Sequence, residues 1–129
     1  MTKTRIHTNR VAKTKKPYSQ GIRVMSGSLV FTSGVIARDA EGRLVGKGNI
    51  REQTRQCLHN IAGIIEGGGG TLGDLVKMTV FITDLENYNG MNEIREEVLN
   101  DIDFASSTVQ VALNEADALI EIEAVASVG

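Results

Sequence analysis

Residues Ile50–Thr83 read IREQTRQCLHNIAGIIEGGGGTLGDLVKMTVFIT, and this stretch decides the fold. In its first half the apolar residues Ile50, Cys57, Leu58, Ile61, Ile64 and Ile65 form one stripe. A stripe with a period near 3.6 predicts a helix, here over 50–65. The run Gly67–Gly70 ends it, because glycine accepts the left-handed backbone that follows a helix C-terminus. A phosphate-cradling loop needs a strand before it and Gly-Lys-Ser/Thr within it. This run follows a helix and leads into Thr71-Leu72, so it reads as a cap and turn. The second half, Leu75–Thr83, is β-branched and aromatic with Lys77 as its only charge, which predicts an interior strand.

Working outward, Asp84 is a candidate cap for a second helix over about 85–99. Tyr88, Met91, Ile94, Val98 and Leu99 share one side of it. Ser107–Leu113 and Leu119–Val128 predict two more strands around the polar turn Asn114–Asp117. Upstream, Gly21–Gly27 and Leu29–Thr32 predict a hairpin turning at Ser26-Gly27-Ser28, and Arg43–Val45 a short strand after the turn Asp39–Gly42. Two amphipathic helices cover one face of one sheet. The expected fold is therefore α+β: a two-layer sandwich, a mostly antiparallel sheet backed by two helices. No third helix is left for the other face, so another subunit is the natural cover.

The chain has 129 residues, enough for a single domain, expected over 17–129. Residues 1–16 carry Lys3, Arg5, Arg10, Lys13, Lys15 and Lys16 and no acid. Composition reads them as a solvated basic arm, with an anion-attracting rim beside a pocket as the sharper alternative. A formal net charge of -2 argues against a duplex-binding protein. One Cys excludes an internal disulfide and a multi-Cys zinc site within the chain, and fits a cytoplasmic address. The longest apolar runs are a few residues, too short to span a bilayer, and no apolar stretch follows the basic N-terminus as in a secretory signal.

Few residues offer chemistry. His7 and His59 lie far apart, in no metal-ligand spacing. Cys57 sits on the buried stripe and reads as an inert core thiol. Ser106-Ser107-Thr108 is a hydroxyl cluster at a strand start, with no histidine nearby in sequence to act as a base. In Leu119–Val125, Glu121 and Glu123 share one face of a strand by its period of two. They are either solvated carboxylates or, where one faces an enclosed cleft, a group that handles a proton or a water.

Taken together and in order, Pro17-Tyr18-Ser19-Gln20-Gly21, Thr32-Ser33-Gly34, Val76–Leu85, Met91-Asn92 and Ile120–Ala124 resemble the Rid (reactive intermediate deaminase, YjgF) family over about residues 17–127. The resemblance implies a subunit like that of the trimeric bacterial chorismate mutase. Three sheets would pack into a central barrel, with clefts between neighbouring subunits. It also implies a first strand before Pro17, within the arm. Best-known members hydrolyse enamine and imine intermediates to a 2-keto acid and ammonia, with no cofactor and no metal. By resemblance Tyr18 closes over a small-molecule ligand. Ser33 and Gly34 offer hydroxyl and backbone hydrogen bonds, and Asn92 reaches in from the second helix. Thr108 stands where a Cys is frequent, and Glu121 holds the attacking water.

One departure matters. Active deaminases carry an Arg in a Pro-Ala-Arg-Ser run, where it binds the substrate carboxylate. Here the run is Phe104-Ala105-Ser106-Ser107, with Ser106 at the Arg position. The expectation is a cofactor-free imine or enamine deaminase with altered substrate preference. The alternatives are a non-catalytic small-molecule or protein-binding module on this scaffold, or a ribonuclease or translation inhibitor, which the charge disfavours. Arg95 follows Asn92 by three residues and shares its helix face. Arg95, Arg23, Arg38 and Lys13–Lys16 are the candidate replacement cations, though each taken singly reads as a surface charge. On this reading Ser106→Arg raises turnover of acidic imines, and Glu121→Ala abolishes the gain.

Overall fold

The computed structural model describes residues 2–14 and 17–129. Three strands come first: β1 (Lys3–Ile6), β2 (Gly21–Val24) and β3 (Ser28–Phe31). The apolar stripe of residues 50–65 then becomes the buried side of helix α1 (Ile50–Gly67). Cys57, Leu58, Ile61 and Ile65 are buried there, while Ile64 lies at the edge of the stripe and is exposed. Asn49 caps the helix by accepting the Glu52 N–H at 3.0 Å. The glycine run caps its end, with Gly69 at φ +94° where a side chain would be strained. Then come β4 (Leu75–Ile82), α2 (Tyr88–Val98), β5 (Ala105–Gln110) and β6 (Ile120–Val128). Asp84 caps a short 3-10 turn, Leu85–Asn87, that leads into α2.

The main sheet has the order β3–β6–β4–β5, so the last strand in chain order lies between β3 and β4. β3–β6 and β6–β4 are antiparallel; β4–β5 is parallel because α2 forms the crossover between them. Both helices pack on one face, over Met78, Val80 and Ile82 of β4 and Ile120, Ile122 and Ala124 of β6. Arg51 and Arg55 of α1 pair with Glu93 and Glu97 of α2 on their outer side. Buried Gln53 ties α1 to the start of β6: it accepts the Leu119 N–H at 2.9 Å and donates to the Asp117 carbonyl at 3.0 Å. The other face is uncovered, with Phe31 70% exposed and Leu29 and Val109 also exposed upon it.

Three expectations are corrected. The solvated arm read from composition is ordered in part, and the first strand that the resemblance implies is present there: β1 pairs with β2 as a separate antiparallel ribbon. Charge alone did not reveal its anchors. Lys3 Nζ donates to the Leu75 and Asp103 carbonyls, and burial pulls that amine below its ordinary pKa. Gln20 accepts the Thr8 N–H and donates to the carbonyls of Thr8, Val11 and Ala12. Second, β2 and β3 form no hairpin. β3 pairs instead with β6, from Ser28↔Val128 to Phe31↔Val125, a long-range partner that local turn signals cannot report. Third, Arg43–Val45 is a single bridge, Arg38↔Leu44, rather than a strand. Lys15 and Lys16 of the arm lie outside the described residues. Among the described residues no helix is long and apolar enough to cross a membrane.

Candidate functional site

The candidate residues gather into two clusters. The first lies where α2 meets the start of β5. Arg95, in the last turn of α2, is fully buried, contrary to its reading as a surface charge. Tyr88, Asn92 and Arg95 fall at i, i+4 and i+7, one helix face. Arg95 Nε and Nη2 donate to Asn92 Oδ1 at 3.2 and 2.8 Å, and Nη1 donates to Ser106 Oγ at 2.7 Å. The guanidinium lies 5.8 Å from the Tyr18 ring centroid and 6.0 Å from that of Phe104. Such contacts contribute about 2 kcal/mol each when desolvated. Ser19 N–H donates to the Phe104 carbonyl at 2.8 Å, fixing Tyr18 against the cluster.

Among the described residues no carboxylate pairs with Arg95. Burial pulls its guanidinium below the ordinary value, and the Tyr88 and Tyr18 side chains act the other way. Arginine remains charged even so. Thr108 lies two residues beyond Ser106 on the same face, in register with Val80 as Ser106 is with Met78. Ser107 points to the opposite face, where Lys77 Nζ donates to its hydroxyl at 3.3 Å.

The second cluster lies on the open face. Past β3 the backbone steps from Thr32 N–H on the Ala124 carbonyl to Val35 N–H on the Ile122 carbonyl. Three residues are spanned against two, a bulge at Ser33-Gly34. Thr32 Oγ1 takes over as acceptor for the Ala124 N–H at 3.0 Å. The bulge leaves the Ser33 and Gly34 N–H groups exposed and, among the described residues, without an acceptor. Glu121 lies against Gly34: a Cβ there would lie 2.6 Å from its Oε2. No side chain fits at residue 34 unless that carboxylate moves. Glu121 itself is half-buried and has no hydrogen-bond or ion-pair partner among the described residues.

One protomer does not join the clusters. Glu121 stands in register with Phe81, and Ser106 with Met78, three residues along β4 and so on the opposite face. Two strand spacings and three residues of rise separate their backbones by roughly 14 Å.

The remaining candidates stay outside both clusters. Arg38 is committed at the surface to Glu115 and the Gly42 carbonyl, and Arg23 is exposed. Lys13 lines a cleft of about 780 Å³ together with Arg5 and His7, and Glu96, Asp101 and Asp103 share it, so among the described residues its lining carries both signs of charge. His59 is exposed. The buried Cys57 thiol is pushed up to about 12 by burial and by the Glu121 charge, which leaves it inert as a nucleophile. Among the described residues no group of three or more His, Cys, Asp or Glu side chains converges. Sequence reading missed Tyr88 and Phe104 as walls of the Arg95 cluster. The i, i+4, i+7 spacing could have found Tyr88; nothing local marks Phe104.

The profile of the family described as Endoribonuclease L-PSP matches residues 8–128. A RutC family protein of Pyrococcus abyssi is 40% identical over 126 residues, covering 98% of each chain. TdcF of Escherichia coli, which carries the provisional name reactive intermediate deaminase, is 36% identical over 124 residues, covering 94% of each. Its structure with bound serine superposes with a TM-score of 0.73, covering 98% of this chain and 99% of that one. YyfB of Yersinia pestis, from the conserved Rid protein family, is 28% identical with a TM-score of 0.83, covering 99% and 100%.

Proposed function

This chain belongs to the Rid family, described as Endoribonuclease L-PSP, and from that premise we propose that it is a cofactor-free hydrolytic deaminase of reactive imines and enamines. Its relative TdcF carries the provisional name reactive intermediate deaminase, and the solved structure of TdcF holds bound serine. The observation that carries the reading is Glu121: a carboxylate held against Gly34 and, among the described residues, unpartnered, beside two backbone N–H groups that likewise have no acceptor there.

In the proposed reaction the enamine first tautomerises to the imine. Glu121 holds a water and takes its proton as the oxygen bonds to the imine carbon. Glu121 returns that proton to the nitrogen, then takes the carbinolamine hydroxyl proton and passes it to the nitrogen as the C–N bond breaks, so that ammonia leaves a carbonyl product. The Ser33 and Gly34 amides are suited to stabilising the negative charge that develops on that oxygen as its hydroxyl proton leaves during collapse. The Asn92–Arg95–Ser106 cluster orients the rest of the substrate.

The complete site takes one cluster from each of two protomers. The separation of the clusters on opposite sheet faces and the exposed Phe31, Leu29 and Val109 support a homotrimer that closes these open faces together. A coupled assay of ammonia release over a panel of amino-acid-derived imines tests the activity. Turnover that falls at least about 100-fold in Glu121→Gln is the expected result, the size of a lost general base. A panel without turnover overturns the reading. Light scattering checks the assembly against the 13.9 kDa protomer.

A further inference from the structure

The cleft of about 780 Å³ between the ribbon and the end of α2 belongs to neither cluster: Arg95, Asn92, Ser106 and Glu121 do not line it. Arg5, Ile6 and His7 line it in succession. A strand face offers only every second residue, so three in a row mark the edge of β1. β2 takes the other edge, and these two strands form a sheet of their own, so the edge at the cleft has no strand partner among the described residues. Buried Leu99 and half-buried Ile102 supply an apolar wall.

Two further features are unspent. Ser19 is only 6% exposed, and its hydroxyl makes no hydrogen bond among the described residues. No fully enclosed polar side-chain atom lacks a partner among those residues, so Ser19 Oγ opens to the cleft it lines. A polar group this buried ordinarily has a partner. Charges of both signs also line the cleft. Lys13, Glu96 and Asp101 form no ion pair among the described residues, and Arg5 approaches Asp103 only to 3.9 Å.

These features select a ligand. Glu96, Asp101 and Asp103 repel a phosphate chain. Among the described residues no three ligating side chains converge to hold a metal ion. A molecule with one sign of charge answers only half of the lining. We propose that the cleft binds a zwitterionic di- or tripeptide with apolar side chains. Its ammonium faces Glu96 and Asp101, and its carboxylate faces Lys13 and Arg5. Its main chain adds to the edge of β1 and engages the Ser19 hydroxyl, while its side chains cover Leu99 and Ile102. The volume falls in the range of about 300–1,000 Å³ usual for small-molecule sites, room for more than a single amino acid. Tyr18 lines the cleft as well as packing 5.8 Å from Arg95, so an occupant touches the ring that walls the other cluster.

The test is independent of turnover and uses the intact oligomer. Calorimetry compares leucyl-leucine with N-acetyl-leucyl-leucine and leucyl-leucinamide, which each lack one charge. Leucyl-leucine is expected to bind, and each blocked form to bind about threefold more weakly, the size of one exposed charge pair. Asp101→Asn removes a charge from a residue at φ +66°, a backbone that Asn also accepts. It should weaken leucyl-leucine by about threefold and leave the N-acetyl form unchanged. Lys13→Gln should do the same, sparing the amide instead. Ser19→Ala should weaken all three by about threefold or more. The only tyrosines are Tyr18 and Tyr88, with no Trp, so emission from Tyr88→Phe reports Tyr18 alone and should change on binding. No binding of leucyl-leucine, equal affinity for the three probes, or affinity unchanged in all three cleft variants overturns the inference. Binding that is lost in Asn92→Ala but kept in the cleft variants also overturns it, by moving the peptide to the Arg95 cluster.

Discussion

Arg95 is wholly buried and engages Asn92, Ser106, Tyr18 and Phe104 at once, whereas Glu121, half-buried on the far side of the sheet, has no hydrogen-bond or ion-pair partner among the described residues. Both are ionic groups, yet their surroundings suit different tasks. Binding needs a fixed array, and the Arg95 cluster spends its polar atoms on one another. Proton transfer needs an acceptor whose lone pairs are free, and among the described residues Glu121 pairs with no cation and lies against Gly34. Separation across the sheet prevents the buried cation and the carboxylate from neutralising each other within a protomer.

The most severe way to break this pairing is to keep the protomers apart. Phe31→Asp places a charge on the most exposed apolar residue of the open face. It should yield folded monomers by circular dichroism and light scattering, with activity down by more than about 100-fold, as for loss of an interface hot spot. Activity that survives in a monomer would show that one protomer suffices.

Next, Glu121→Gln and Asn92→Ala disable different clusters and should each lower kcat/KM by about 100-fold. Unfolded and reassembled together in equal amounts, they should regain about a quarter of wild-type activity, since random pairing makes that share of clefts intact. No regain would mean that both residues act from the same protomer.

Ser106→Arg sharpens the contrast from the other side, with an expected outcome opposite to the one drawn from the sequence. The new guanidinium on the half-buried strand start would meet the buried Arg95, with no carboxylate to share among the described residues. Thermal unfolding should report a loss of about 3 kcal/mol, with no gain on acidic imines. The smallest change is Gly34→Ala. Its methyl pushes the Glu121 carboxylate aside, and kcat should fall about tenfold with the melting temperature almost unmoved. A silent Gly34→Ala would mean that the carboxylate's position is not critical.

Elements with a strong period were legible. α1, β4 and β6 follow from stripe and alternation because their packing repeats along the sequence. The split of β1–β2 from the main sheet was not legible. It depends on Lys3 reaching carbonyls at Leu75 and Asp103, a contact across about half the chain or more that leaves no local pattern. In the candidate site, Glu121 and Asn92 stood out through motif and face, and Arg95 through its three-residue spacing from Asn92. That spacing did not predict burial, because arginine's usual place is the surface. Burial arises from Tyr18 and Phe104 closing on it from segments distant in the chain.

The place of β6 between β3 and β4 has a consequence for how the molecule comes into being. Ser28 waits for Val128 and Leu75 for Ala126, so the sheet has no centre until the final strand is available. Such distant pairings fold slowly, and the flanking strands expose unpaired edges meanwhile. Chains stalled on the ribosome before residue 120 should be captured by chaperones and lack native protease resistance. Glu121 rides on that same strand, so the proposed proton acceptor arrives only with the step that completes the core.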